Sequence, residues 1–200
     1  MNVLVACEFS GIVRDAFTVR GHNAWSCDLL PTESPGKHYQ RDVLEILDLG
    51  WDLMVAHPPC TYLALAGIHW NNRIPGRKEK TSKALEFVRS LLNAPIPHIA
   101  LENPVGIISS KIRKPDQMIQ PWQFGHPESK KTCLWLKNLP RLVPTNILTP
   151  TRFQENGRPR WENQTPTGQN KLGPSVDRWK LRSITYQGLA EAMAAQWGAL

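Results

Sequence analysis

Much is missing from this 200-residue chain, and each absence excludes a class of protein. No stretch is long and apolar enough to span a bilayer, so no membrane segment is expected. The opening residues, Met1-Asn2-Val3-Leu4-Val5-Ala6, lack the basic start of a secretory signal and read directly as a strand. The four cysteines, Cys7, Cys27, Cys60 and Cys133, form no CxxC pair. That argues against a zinc centre or disulfide framework and for a reduced, cytoplasmic setting without a metal. There is no internal repeat and no GxGxxG. Negative charge is scarce in one half only. Residues 1–100 hold ten Lys and Arg against ten Asp and Glu, and residues 101–200 hold fourteen against seven. The net charge of +7 therefore sits in the second half. It marks either a polyanionic partner or an ordinary solvated basic surface.

What is present is enough apolar sequence, 41% of residues, for one domain with a real core. Short apolar runs at 2–6, 24–27, 51–56 and 98–101 read as strands. Apolar residues at helical spacing mark helices over 12–20, 82–93 and 189–197, the second capped by Thr81 or Ser82. A short helical piece begins at Arg41, and a further strand is expected over 132–136. Residues 66–81 read as a loop. Residues 150–180, rich in Gly, Pro, Asn, Gln and Arg, read as an irregular basic segment. Strands alternating with helices predict an α/β fold, with a mostly parallel sheet and helices on both faces.

Three strands end in a polar residue: Asp28, Cys60 and Glu102. The C-terminal edge of such a sheet is where ligands bind. Pro58 and Pro59 end the third strand, since neither can donate to a ladder, and hold Cys60 at its tip. A thiol there is either a nucleophile or a small buried apolar residue. The turn Glu8-Phe9-Ser10-Gly11 joins a strand to a helix, where backbone N–H groups favour an anionic or carboxylate-bearing ligand. Asp28 either bonds the ribose of a nucleoside cofactor or caps a turn. Glu102 either faces Cys60 across neighbouring strand ends or caps a turn. In the first case a thiolate adding to C6 of a pyrimidine is helped by an acid at ring N3, and a carboxyl in a dry pocket has its pKa raised for that role.

These residues, in this order, resemble the compact S-adenosylmethionine-dependent cytosine-C5 DNA methyltransferases of phages and prophages. Phe9-Ser10-Gly11 resembles their first cofactor motif, although Ile12-Val13 stands where the family has a second glycine. Asp28 falls at the family's ribose-binding acid and Asp42 at the acid that contacts the adenine edge. Pro58-Pro59-Cys60 resembles the catalytic Pro-Cys motif, and Glu102-Asn103-Pro104 the Glu-Asn-Val motif. Residues 124–136 resemble the family's segment of spaced arginines and an apolar strand. Here Lys130 and Lys131 replace the arginines, and Glu128 stands where glutamine is usual. Lysine lacks the planar fork of arginine. Arg182 with residues 188–194 resembles the closing motif, a turn and helix that return to the cofactor.

The resemblance implies a Rossmann-like methyltransferase domain over 1–142. A short target-recognition-like segment would follow over 143–180, then a returning turn and helix over 181–200. It implies S-adenosylmethionine held by Phe9, Ser10, Gly11, Asp28, Asp42 and Pro58, and catalysis by Cys60, Glu102 and Lys130. The substrate would be cytosine in DNA, flipped from a duplex or taken from a single strand, held by Pro59, Asn103 and Glu128. The loop after the nucleophile, 67–78, mixes Trp70 with Arg73, Arg77 and Lys78. It either closes over the base with its cations on phosphates or is an ordinary solvated loop. Arg152, Arg158, Arg160 and Lys171, near Trp161, are candidates for DNA backbone contacts. Two other readings stand beside this one. The same cofactor could serve single-stranded nucleic acid, RNA or a free pyrimidine nucleotide, as the short recognition segment allows. The chain could also be a non-catalytic methyltransferase-like DNA-binding protein, which the presence of Cys60 and Glu102 opposes.

Overall fold

Asn2–Ala6 is followed by apolar runs of the same kind, and burial of these runs on both faces builds the sheet. The computed structural model describes residues 1–200. Its elements are β1 (Asn2–Ala6), α1 (Ile12–Val19), β2 (Asn23–Asp28), β3 (His38–Gln40), β4 (Leu53–Ala56), α2 (Leu65–Ile68), α3 (Arg77–Leu92), β5 (His98–Pro104), α4 (Ile108–Lys111), β6 (Gln117–Ile119), β7 (Thr132–Lys137), β8 (Arg152–Phe153), β9 (Pro159–Arg160), α5 (Arg178–Ser183) and α6 (Gln187–Trp197). Seven strands form one sheet in the order β3-β2-β1-β4-β5-β7-β6. The first five are parallel to their neighbours, and β7 runs antiparallel between β5 and β6. This is the doubly wound 3-2-1-4-5-6 order with one reversed strand inserted before the last. The order reverses between β1 and β4, so the ligand crevice of such a sheet lies at their C-terminal ends.

Alternation along each strand divides the core between two layers. Val3 and Val5 of β1 and Val55 of β4 pack with Phe17 of α1 and Met193 and Trp197 of α6. Leu4, Ala6, Met54 and Ala56 point the other way, onto Leu85, Val88 and Leu91 of α3. The α/β expectation, with helices on both faces, is thereby met. No helix is long and apolar enough to cross a membrane.

The boundaries differ where backbone conformation overrides the apolar pattern. α3 begins at Arg77, behind Gly76 at φ 73°, so Thr81 and Ser82 lie inside the helix rather than capping it. The expected loop over 66–81 is largely wound up, into α2, a 3₁₀ turn at His69–Asn72 and the first turn of α3. β3 and β6 have three residues each, too few to carry a period. The irregular stretch after 150 contains the β8–β9 hairpin and α5.

Candidate active site

The first turn owes its shape to two left-handed residues, Cys7 at φ 59° and Gly11 at φ 79°. Between them Glu8 folds back under α1, accepting the N–H of Val13 at 2.7 Å and of Arg14 at 3.2 Å. Burial pushes the Glu8 carboxyl up, while His57 and the two N–H bonds pull it down. The helix start expected to take an anionic ligand is thus closed by the chain's own carboxylate. The amides just before it are open instead: the N–H groups of Phe9, Ser10 and Gly11 donate to no protein group. A Cβ on Gly11 would lie 2.5 Å from the guanidinium of Arg14, so this turn tolerates no side chain there. Asp28, at the end of β2, accepts the N–H of Leu30 at 2.9 Å, and Asp42 accepts that of Leu44 at 3.0 Å. Each carboxylate caps a turn with one oxygen and keeps the other free.

Beyond β4 the chain stays paired for one more residue, the His57 N–H donating to Ala6 at 2.9 Å, before Pro58 and Pro59 end the ladder. Pro58 is buried, while Pro59 and Cys60 are exposed. The Cys60 carbonyl accepts the N–H groups of Leu63 and Ala64, which makes a tight turn behind the thiol. The Asn103 amide donates to the Pro58 carbonyl at 2.7 Å and clamps the tips of β4 and β5 together. Glu102 lies beside this clamp, its Oε2 3.2 Å from His57 Nδ1. Neighbouring atoms desolvate the Cys60 thiol and push its pKa up, and the charge of Glu102 adds to this. Arg182 and Lys130 pull it down. Thiol, carboxylate, imidazole and two cations therefore share one sheet edge.

Glu102 departs from expectation in one respect. Desolvation favours its neutral form, but the His57 hydrogen bond and charge, Lys130 and the Thr132 hydroxyl outweigh it. The carboxyl is held below the ordinary glutamate range rather than raised.

A narrow recess of about 10 Å³ lies beside Glu102, lined also by Gln120, Lys130, Thr132, Tyr186 and Leu189. Lys130 Nζ donates to the Arg182 carbonyl at 2.8 Å and sits 5.7 Å from the centre of the Tyr186 ring. Glu128 is drawn aside, accepting the Tyr186 hydroxyl at 2.5 Å. Gly188, at the start of α6, donates its N–H to His126 at 2.9 Å, and a Cβ there would meet the Phe124 carbonyl at 2.1 Å. The closing turn is therefore docked tightly on the 124–130 segment.

Several expected DNA contacts are turned inward. Arg77 donates to the carbonyls of Thr61 at 3.0 Å and Gly67 at 3.3 Å and stacks on Tyr62, so it braces the loop instead of reaching outward. Arg152 bonds the carbonyls of Trp161 and Gln164, and Arg160 bonds that of Pro166. Arg73, over the Trp70 ring, and Lys78 remain exposed, as do Arg158 and Lys171. Trp161 is buried against Trp122.

Four groups escaped the sequence reading. His57 had a signal, a polar residue at the tip of an apolar strand directly before two prolines. Tyr186 had none. Trp179 and Lys180 come from α5, which the irregular composition hid. The Trp179 ring lies 6.0 Å from that of Phe9, and Lys180 pairs with Glu33 above the same ring. α5 thus reaches from the first turn towards Lys130 and Cys60.

No family model matches this sequence, and no curated protein matches it in sequence. Among solved structures, the fold is similar to that of a candidate DNA modification methyltransferase encoded within an E. coli prophage, with TM-score 0.50 and 16% identity. The match covers 77% of this chain and 56% of that one, so the chain spans little more than half the neighbour's length. At that identity the likeness is one of fold, and it places this chain among α/β folds similar to a methyltransferase structure.

Proposed function

We propose that this protein transfers a methyl group from S-adenosylmethionine to C5 of cytosine in DNA through a covalent bond from Cys60. The observation that carries the reading is the nearness of an accessible thiol, Cys60 in the turn after β4, to a carboxylate on the neighbouring strand, Glu102 of β5. Cys60 follows β4 by four residues and Glu102 lies near the end of the β5 ladder, both beside the topological switch point. The methyltransferase-like fold supports it.

The residues present fit a nucleoside cofactor with a carboxylate. Three free amides at Phe9, Ser10 and Gly11 suit the carboxylate, the open oxygens of Asp28 and Asp42 suit ribose and adenine, and Pro58 walls the crevice. When bound there, S-adenosylmethionine supplies an electrophilic methyl group. The remaining chemistry belongs to the chain. Cys60 bonds to C6 of the base, and Glu102 meets ring N3 as electron density arrives there. C5 becomes nucleophilic. After methylation, loss of the C5 proton to bulk water and of Cys60 as thiolate restores the aromatic ring. Lys130 lines the narrow recess beside Glu102 and balances the Glu102 charge. Asn103 holds the two strand tips in register. Glu128 acts on the base edge only if Tyr186 releases it. Exposed Pro59, Trp70, Arg73 and Lys78 face the nucleic acid, while Arg77 supports them from beneath. On this reading 1–142 is the catalytic domain, 143–180 the recognition-like segment and 181–200 the returning helix.

The test is transfer of labelled methyl to DNA by the wild type and by Cys60→Ser, with a 5-fluorocytosine oligonucleotide as a covalent trap. Transfer and a trapped adduct, both lost in Cys60→Ser, are expected. Transfer that survives Cys60→Ser would overturn the covalent reading. Competition by duplex and single-stranded oligonucleotides identifies the substrate form.

A further inference from the structure

His57 is the member of the strand-end cluster that the chemistry above leaves unused. Its side chain is 8% exposed, with Nδ1 on Glu102. Its Nε2 is buried and has no partner. Buried polar atoms are nearly always paired, so an orphan beside a reacting carboxylate calls for a role. The groups acting on this pair are few. Glu8 acts on the ring from the β1 side. Lys130 and Thr132 act on Glu102 from the β7 side, and Cys60 and Cys133 feel the Glu102 charge.

We propose that His57 and Glu102 work as one proton-carrying pair, in which His57 holds the proton that Glu102 passes to ring N3 of the cytosine; this rests on the cytosine-C5 reading above. A carboxylate kept ionised has no proton of its own to give, but it can relay one. The exposed Cys60 thiol first gives its proton to bulk water; as the thiolate sulfur bonds to C6, the C5=C6 electron pair moves to C4=C5. The C4=N3 pair moves onto N3, which takes a proton from Glu102. Glu102 takes the Nδ1 proton of the His57 imidazolium, leaving a neutral ring protonated at Nε2. When Cys60 departs, N3 returns its proton by the same route. The His57 side chain hydrogen-bonds Glu102 alone and is a positioning and proton-holding residue.

Two measurements test this, and they fail separately. The first uses the protein alone. The Glu102 carboxyl is followed against pH by carbon NMR in the wild type and in His57→Asn. Its midpoint should rise in His57→Asn, since the His57 hydrogen bond and charge hold the carboxyl down. A Glu102 midpoint that His57→Asn leaves unmoved overturns the pairing, whatever the reaction is. The second is the pH profile of kcat/KM for methyl transfer. His57→Asn keeps an N–H aimed at Glu102 but has no proton to hand over. A loss of about 100-fold, with the alkaline limb displaced, is expected. A wild-type rate and profile in His57→Asn would overturn the proton-holding role and leave the cytosine reading standing. If the wild type transfers no methyl although the two side chains titrate together, the reading beneath the proposal fails instead.

Discussion

At Glu102, desolvation and pairing act in opposite directions, and pairing with His57 and Lys130 wins. Because the folded pKa is depressed, the ionised cluster contributes stability that is fully present above the ordinary glutamate pKa. That stability is lost as pH falls through the lower folded value. Glu102→Gln should therefore flatten the acid side of the stability–pH curve, read from urea midpoints at a series of pH values. An unchanged acid slope would count against the pairing. Arg14 presents the opposite problem, a charge spent wholly on structure. It is 1% exposed and its five N–H groups meet five acceptors: Asp15, Ser26, Thr32 and the carbonyls of Ser34 and Pro35. Arg14→Met should cost about 1–3 kcal/mol in urea unfolding, because part-buried acceptors around the buried guanidinium lose their donor. Nothing in the sequence marks Arg14 out from an exposed helix residue, since its acceptors converge only when residues 26–35 fold over α1.

At the scale of elements, the Arg77 side chain braces the segment between Cys60 and α3 at two carbonyls and one ring. Arg77→Ala should raise hydrogen exchange and protease cleavage over 61–76, and Arg77→Lys should not rescue it, because lysine cannot form the same fork over Tyr62. Arg73→Ala and Lys78→Ala should leave exchange unchanged and instead reduce the salt dependence of DNA binding. α5 makes a second prediction. Trp179 is 57% exposed and rests on Phe9 in the proposed cofactor turn. Its fluorescence should change on titration with S-adenosylmethionine. Trp179→Ala should weaken that binding by about 2–10-fold, the worth of one aromatic contact. The apolar strands and α1 were legible because burial leaves a period in the sequence. α5, β3 and β6 were not, because short elements depend on neighbours rather than on a pattern of their own.

Across the whole molecule, charge is divided in step with the proposed roles. The first half is neutral and carries the proposed cofactor turn and nucleophile, while the second carries the excess of +7. Two of its arginines, Arg152 and Arg160, are committed to internal carbonyls, which leaves less free charge than composition implies. On the DNA reading, so small a recognition surface should specify a short site. Bisulfite sequencing of treated DNA should show modified cytosines in a short or relaxed context, and a long unique site would contradict this.

Local sequence alone determined the parallel strands, the α/β alternation and the placing of Asp28 at a strand end and Cys60 just beyond one. Each of these follows from apolar period and from the inability of proline to continue a ladder. β5, by contrast, runs on past Glu102 to Pro104 because it pairs with β7. Only the tertiary structure decided which charges act and which are spent. Glu8 closes the helix start, His57 reverses the shift at Glu102, Tyr186 draws Glu128 aside, and Arg14 and Arg77 serve the chain itself. A side chain's ionisation and reach are set by partners that lie tens of residues away, and that information exists only once the backbone has brought them together.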